Sequence, residues 1–321
     1  MKLSEVVAEL VCATIANGRS VRTAQAYEEK LKPLVVYLED KEVSDVTISD
    51  LRGYVGHLRG RTSRFVDHPF KARVSGGLSD ATVASLIRHA KRLFNFAVEE
   101  GIIDTSPAKR LRNFRAPRGE PKAASMEDLG KLLDAMDDSS LRAASRDKAL
   151  LLVLLDTGCR LGGLAGMKLD DINLKNGRIY LVEKGNKGRY AFIMPMTRDA
   201  LRAWLDVRPS DQGDHLWSTL GSNGGDHLST QGIRQVLRRW KKRADVTGRV
   251  NPHAWRHTFA REFLTDGGDL ASLSDIMGHS DVKVTQAFYA IFRTHELQEK
   301  HDRHSPVARL ARSSGRPDRI I

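Results

Sequence analysis

Asn251–Tyr289 reads NPHAWRHTFAREFLTDGGDLASLSDIMGHSDVKVTQAFY, and it concentrates more reactive chemistry than any other part of the chain. His253, Arg256, His257, His279 and Tyr289 fall within one short span. Imidazoles, a guanidinium and a phenol together suffice to attack a phosphodiester without a metal. Whether they form a reaction centre or are ordinary helix residues depends on what the rest of the chain supplies.

The segment immediately upstream supplies charge. Ser229 can cap a helix carrying Ile233, Val236, Leu237 and Trp240 at helical spacing. The same helix bears Arg234, Arg238, Arg239, Lys241, Lys242 and Arg243, the densest basic run in the sequence. Such a run beside a buried tryptophan suits contact with phosphate or a nucleic-acid groove. Ahead of it, Asp206–His227 is rich in Gly, Ser and Asp and reads as irregular, and Thr197–Leu205 reads as an amphipathic helix. Arg178–Glu183 and Arg189–Met194 are two β-rich runs separated by Lys184-Gly-Asn-Lys187-Gly188, the one clear hairpin. Gly185-Asn186 supplies the positive-φ residues of a tight turn, which holds Lys184 and Lys187 out on a short arm. Ala149–Leu155 is a continuous apolar run suited to a buried helix, stopped by Gly158. Arg160 then stands at the start of the next element. Its bland role is to cap the carbonyls of the preceding helix, and Lys184 has simple turn chemistry as its bland role. Ser125 caps a further helix carrying Leu129, Leu132, Leu133 and Met136.

Asn113–Ala123, NFRAPRGEPKA, combines prolines, a glycine and cations with no hydrophobic period, so it reads as a linker. Arg118 in its centre can lie along a phosphate backbone. The part before it reads as helices. Ser20 caps one with Tyr27, Leu31, Leu34, Val35 and Leu38 on a face. Ser49 caps a second with Leu51, Tyr54, Val55 and Leu58. Arg61–Gly77 is a basic loop. A third helix follows Ser79, with Val83, Leu86, Ile87, Ala90, Leu93, Phe94 and Ala97 as its stripe and Gly101 closing it. Arg88, Lys91 and Arg92 lie largely off the stripe, a basic face open to DNA backbone or simply to solvent.

Composition narrows the classes. In 321 residues the formal net charge is +12, and the pI is near 9.8. A polyanion, and above all nucleic acid, is the partner such a balance favours over a merely basic enzyme. The mean hydropathy of −0.39 describes a globular chain. No apolar run approaches the roughly 20 residues of a membrane span, and the glutamate-bearing N-terminus is a poor signal peptide. Cys12 and Cys159 make no disulfide framework and match no metal site, so a cytoplasmic setting without metal or cofactor is the expectation.

Thr157–Ile172 (TGCRLGGLAGMKLDDI), Val182–Arg189 (VEKGNKGR), His253–Ala260 (HAWRHTFA) and Ile276–Tyr289 (IMGHSDVKVTQAFY) together resemble the tyrosine recombinase, or phage integrase, family. Each motif alone is weak; all four in the family's order, behind an integrase-like helical domain, are specific and cover nearly the whole chain. The resemblance implies a mainly α fold with a small β-sheet hairpin in the C-terminal domain, arranged as a two-domain DNA clamp. Residues 1–112 would be the helical, SAM-like core-binding domain, 113–123 the linker, and 124–321 the catalytic domain with a C-terminal tail. It implies that Arg160, Arg256 and His279 bind the non-bridging oxygens of the scissile phosphate. Lys184 would protonate the leaving 5′-oxygen, His253 would assist proton transfer at the nucleophile, and Tyr289 would be that nucleophile. His257 is read as structural. Candidate DNA contacts are Arg88, Lys91, Arg92, Arg118, Lys187, Arg234, Arg238, Arg239 and Lys242.

The resemblance further implies a site-specific recombinase working as a homo-tetramer on double-stranded DNA. Free of DNA it would be a monomer or weak oligomer, away from membranes and associated with the nucleoid. Too little chain precedes the helices for a separate arm-binding domain, so a simple integrase, transposon recombinase or resolvase is expected. The physics agrees: paired guanidiniums answer the charge on a phosphoryl transition state. Nearby cations favour the phenolate of a tyrosine whose ordinary pKa is about 10. The covalent link conserves bond energy, so neither ATP nor metal is needed. Two positions depart from the family pattern. Gly163 stands where a glutamate usually follows the first arginine, leaving Asp156, Asp170 or Asp171 as substitutes. Phe288 stands where the nucleophile usually lies, with Tyr289 next, and one residue on a helix is about 100°. These departures favour the rival reading of a DNA-binding relative that has lost cleavage; a topoisomerase with the same chemistry is a second rival.

Overall fold

Two apolar cores that share no residue divide the chain into units at Met1–Gly119 and Glu120–Ile321. The computed structural model describes residues 1–64, 72–112, 123–139, 142–183, 187–209, 213–220, 227–278, 301 and 305–307, with Arg64, Glu183 and Lys187 described for backbone only.

Among its described residues the first unit contains four α-helices. In α1 (Leu3–Ala16), Leu3, Val6, Val7 and Leu10 recur at helical spacing and are all buried. The sequence reading missed this helix, because Lys2 stands at its N-cap and no serine, threonine, aspartate or asparagine marks its start. The N-cap of α2 (Val21–Tyr37) is Ser20, whose hydroxyl accepts the Thr23 amide at 3.3 Å. A cap also starts α3 (Ile48–Gly60), but it is Thr47 and not the expected Ser49. Thr47 and Asp50 exchange side chain-to-backbone bonds at 3.2 and 2.9 Å, a reciprocal box that Ser49 has no partner to make. Arg61–Gly77 is more than a loop. Its two ends, β1 (Ser63–Arg64) and β2 (Val74–Ser75), pair antiparallel. The longest helix, α4 (Asp80–Glu99), starts at Ser79 and buries every residue of its expected stripe, and Gly101 follows with a φ of 67°. Each of those leucine, isoleucine and phenylalanine side chains contributes about 1.5–3 kcal/mol by leaving water.

The second unit wraps helices round one larger core and a small sheet. After α5 (Met126–Asp137), capped by Ser125, comes α6 (Arg142–Thr157), which buries Leu150, Leu151, Val153 and Leu154 completely. The short α7 (Leu161–Ala165) leads into β3 (Ile172–Asn173), β4 (Arg178–Glu183) and β5 (Lys187–Phe192), an antiparallel sheet in that order. The two-residue β3 was not legible in the sequence. The second hairpin strand begins at Lys187, two residues before the expected Arg189, because Glu183 pairs with Lys187. One face of the hairpin, Ile179, Leu181 and Ala191, is buried, as period-two alternation demands. The next helix, α8 (Pro195–Val207), opens with proline at its first position, two residues ahead of the expected Thr197. The stretch Asp206–His227 contains no helix or strand among its described residues beyond the end of α8, yet it buries Leu216 and Trp217 completely. Three helices complete the described unit: α9 (Thr230–Arg243), α10 (Pro252–Thr265) and α11 (Leu270–Met277). Four fully buried tryptophans, Trp204, Trp217, Trp240 and Trp255, fix the packing of these elements.

Candidate active site

The site begins with α10. Asn251 caps it, its Oδ1 accepting the Ala254 amide at 3.0 Å, and Pro252 fills the first helical position, where no amide is needed. Trp255 is fully buried and donates its indole N–H to the Val250 carbonyl at 3.2 Å. Thr258 accepts the Ala124 amide at 2.9 Å and donates to the Ala124 carbonyl at 2.8 Å, tying the helix to the start of the unit. With those residues inward, His253, Arg256 and His257 share a face by their spacing of three and four.

Arg256 is 6% exposed, and its guanidinium stitches two other segments to α10. One terminal nitrogen donates to the Gly158 carbonyl, the other to the Met277 carbonyl at 2.9 Å. Gly158 follows α6 and stands two residues before Arg160, the half-buried residue that starts α7. Only glycine fits there: φ is +55°, and a Cβ would stand 2.4 Å from the Phe259 ring. Met277 ends α11, and Gly278 turns the chain left-handed at φ 64°, immediately before His279. One buried side chain thus positions both segments that lead to the other motif residues.

The charges converge on His253. Partial desolvation, and then the guanidiniums of Arg256, Arg234 and Arg160, hold its imidazole below the ordinary value. The residue itself retains substantial exposure. Burial lowers His257 likewise, followed by His253 and Arg256. Three guanidiniums gathered about one imidazole repel one another, and an anion bound among them relieves that cost.

Lys184, His279 and Tyr289 lie outside the described residues, as do Arg118, most of the linker and most of the tail from Arg293; the Lys187 side chain does too. Of the acidic substitutes for Gly163, Asp156 accepts the Met194 amide at 2.6 Å and Asp171 the Lys168 amide at 2.8 Å. Asp170 is exposed, and Gly163 itself is buried in α7.

The candidate DNA contacts divide sharply. Arg88, Arg238 and Lys242 are exposed, and Arg234 is half-buried beside His253. Others are engaged within the fold. Lys91 donates to the Leu111 carbonyl at 2.6 Å, and one terminal nitrogen of Arg92 donates to both carboxylate oxygens of Glu99 at 2.8 Å. Arg239 donates to Asp147 at 2.6 Å. Asp147 is fully buried and also accepts from Trp240 at 2.7 Å and from Arg146 at 2.9 and 2.7 Å. This hub, which joins α6 to α9, was not read from the sequence, where Arg146-Asp147 is one adjacent pair among many. Arg249 was missed as well. Among the described residues no group of three His, Cys, Asp or Glu could hold a metal ion, and no helix is long and apolar enough to cross a membrane.

Comparison with known proteins matches residues 124–295 to the phage integrase family and residues 4–115 to the phage integrase SAM-like domain. A tyrosine recombinase XerC of Thermodesulfovibrio yellowstonii is 26% identical over 302 residues, covering 92% of this chain and 94% of its own. Among solved structures, the XerH site-specific recombinase bound to palindromic difH in a post-cleavage complex superimposes with a TM-score of 0.70 at 20% identity. It covers 89% of this chain and 81% of its own. A lambda integrase tetramer bound to a Holliday junction gives 0.64 at 17% identity, covering 88% and 78%. These structures share the mainly helical, two-domain architecture with its small sheet. With more than half of its length matched by the integrase model, and the helical unit ahead of it by the companion domain, the chain belongs to the phage integrase family.

Proposed function

We propose that the protein is a site-specific DNA recombinase that cuts and rejoins strands through a 3′-phosphotyrosyl intermediate. The observation that carries this reading is the bond from the Arg256 guanidinium on α10 to the Gly158 carbonyl, two residues before Arg160, which joins the two arginine-bearing segments beside His253. A phosphodiester placed there meets the charge of two guanidiniums. The Tyr289 oxygen attacks phosphorus as His253 takes the phenol proton. The bond to the 5′-oxygen breaks, and Lys184 supplies the proton that oxygen needs. Religation runs the same steps in reverse with a 5′-hydroxyl as nucleophile. His279 joins the arginines on the non-bridging oxygens. Arg88, Arg234, Arg238 and Lys242 serve the DNA backbone, and the strand exchange is carried out by a homo-tetramer on two duplexes. The solved relatives that are complexes with DNA support this reading.

Covalent capture tests it. On a nicked duplex carrying the target site, the wild-type chain leaves an SDS-resistant protein–DNA adduct, and Tyr289→Phe leaves none. Arg160→Gln or Arg256→Gln slows adduct formation by about 10²–10³-fold, the usual cost of one fixed donor to a transition-state oxygen. Gly163 and Phe288 support the second reading, a DNA-binding relative without cleavage. Tight binding with no adduct from the wild type would decide for it.

A further inference from the structure

Between α9 and the start of α10 lies a cavity of about 270 Å³, bordered by the cations Arg234, Arg238, Lys241 and Arg249 together with Leu237, Val250, Asn251 and Pro252. Four of these eight residues are cationic, and no acidic residue is found among the described residues that line the cavity. Lys241 is occupied structurally. It donates to the Thr247 carbonyl at 2.9 Å and to that of Gly248, and so holds the turn that presents Arg249. Asp128 lies against Gly248, outside the lining. Arg234, Arg238 and Arg249 therefore converge on one space, in contrast to Arg92 and Arg239, whose charges are answered by Glu99 and Asp147. The cavity also opens beside the first turn of α10, where the helix dipole favours negative charge.

Resting on the recombinase reading, we propose that this cavity is a second phosphate subsite, in which Arg234, Arg238 and Arg249 together grip one backbone phosphate of the DNA next to the scissile one. Arg234 joins the two sites, since its charge also reaches His253. A phosphate seated there fixes the register of the strand at the reaction centre without reading its sequence.

The salt dependence of DNA binding tests the subsite. With a duplex of about 30 base pairs and salt from about 50 to 200 mM, each neutralised phosphate adds about 0.9 to the slope of log affinity against log salt. Arg238→Gln and Arg249→Gln are each expected to weaken binding several-fold and to lower the slope by less than one such step, because the remaining arginines still neutralise the phosphate. The Arg234→Gln/Arg238→Gln/Arg249→Gln triple variant is expected to lower it by about one step in all, because the three arginines serve one phosphate. Arg249→Lys keeps the slope, because the charge is kept, and loses several-fold in affinity, because the fork is lost. A wild-type slope in the triple variant overturns the subsite. So does a loss of two or more steps in the triple variant, which means separate phosphates. Inorganic phosphate that raises the Tm of the free protein while the slopes of the variants stay at the wild-type value assigns the cavity to a free anion instead. If the wild type itself binds the duplex with no salt dependence, the DNA reading fails, and that result is separate from the behaviour of the variants.

Discussion

At His253 two influences act in the same direction. Partial desolvation and the surrounding guanidiniums both favour the neutral ring, which is the form able to take the phenol proton. The ordinary imidazole titrates near 6.5, and in the fold the value is lower, so the ring stays neutral at pH values where a free histidine is charged. Stability changes with the same sign: as pH falls below 6.5 the unfolded chain takes up the proton first, and the folded state loses stability down to its own lower value. The acid limb of adduct formation is therefore expected to have its midpoint below 6.5. Arg234→Gln removes one of the causes and shifts that limb upward. A rate profile across roughly pH 5–8 checks both statements; a wild-type midpoint at or above the ordinary value would remove His253 from the proton path. Motif spacing made Arg160, His253 and Arg256 legible in the sequence. It did not show that Lys91 is engaged by a carbonyl and Arg92 and Arg239 by carboxylates, because their partners lie 7 to 92 residues away.

Among the elements, α9 carries the basic run, and its orientation depends on one buried carboxylate. Asp147 on α6 receives Trp240 and Arg239 from α9, while Arg146 donates from its remaining nitrogen to the Ser218 carbonyl at 2.8 Å. With Asp147 fully buried and Arg146 only 4% exposed, removing the carboxylate leaves a guanidinium out of water without its counter-charge. Asp147→Ala is expected to cost about 3–5 kcal/mol in urea unfolding, the range for breaking a buried pair. Asp50→Ala, which removes a surface pair with Lys41 and half of a capping box, should cost about 1–2 kcal/mol. A small loss at Asp147 would mean that α9 is held by Trp240 packing alone. Helix starts were legible at four serine caps that precede a clean stripe, Ser20, Ser79, Ser125 and Ser229. They were lost where the start depends on a reciprocal partner, as at Thr47, or where a strand has only two residues, as in β3.

For the whole molecule, the two cores make a prediction that neither unit makes alone. The apolar cluster of the first unit runs from Leu3 to Ala108, and that of the second from Ala124 to Trp255, with no member in common. Asn113–Ala123, read as a linker from its composition, lies outside the described residues except for Ala123. Each core buries enough leucine, valine and aromatic surface to fold by its own contacts. Residues 1–112 and 124–321, made as separate chains, are therefore each expected to unfold cooperatively. Their affinity for DNA should not survive the cut. A covalent link makes the second unit's binding intramolecular, and losing it costs about 10²–10⁴ in overall affinity, with no contact to DNA altered. Anisotropy of a labelled duplex, titrated with the intact chain and then with an equimolar mixture of the two pieces, measures that ratio. Equal affinities would place the whole of DNA binding in one unit and reduce the other to a passenger. A loss of the expected size means that the two units grip the duplex jointly, and that the linker contributes by keeping them on the same molecule.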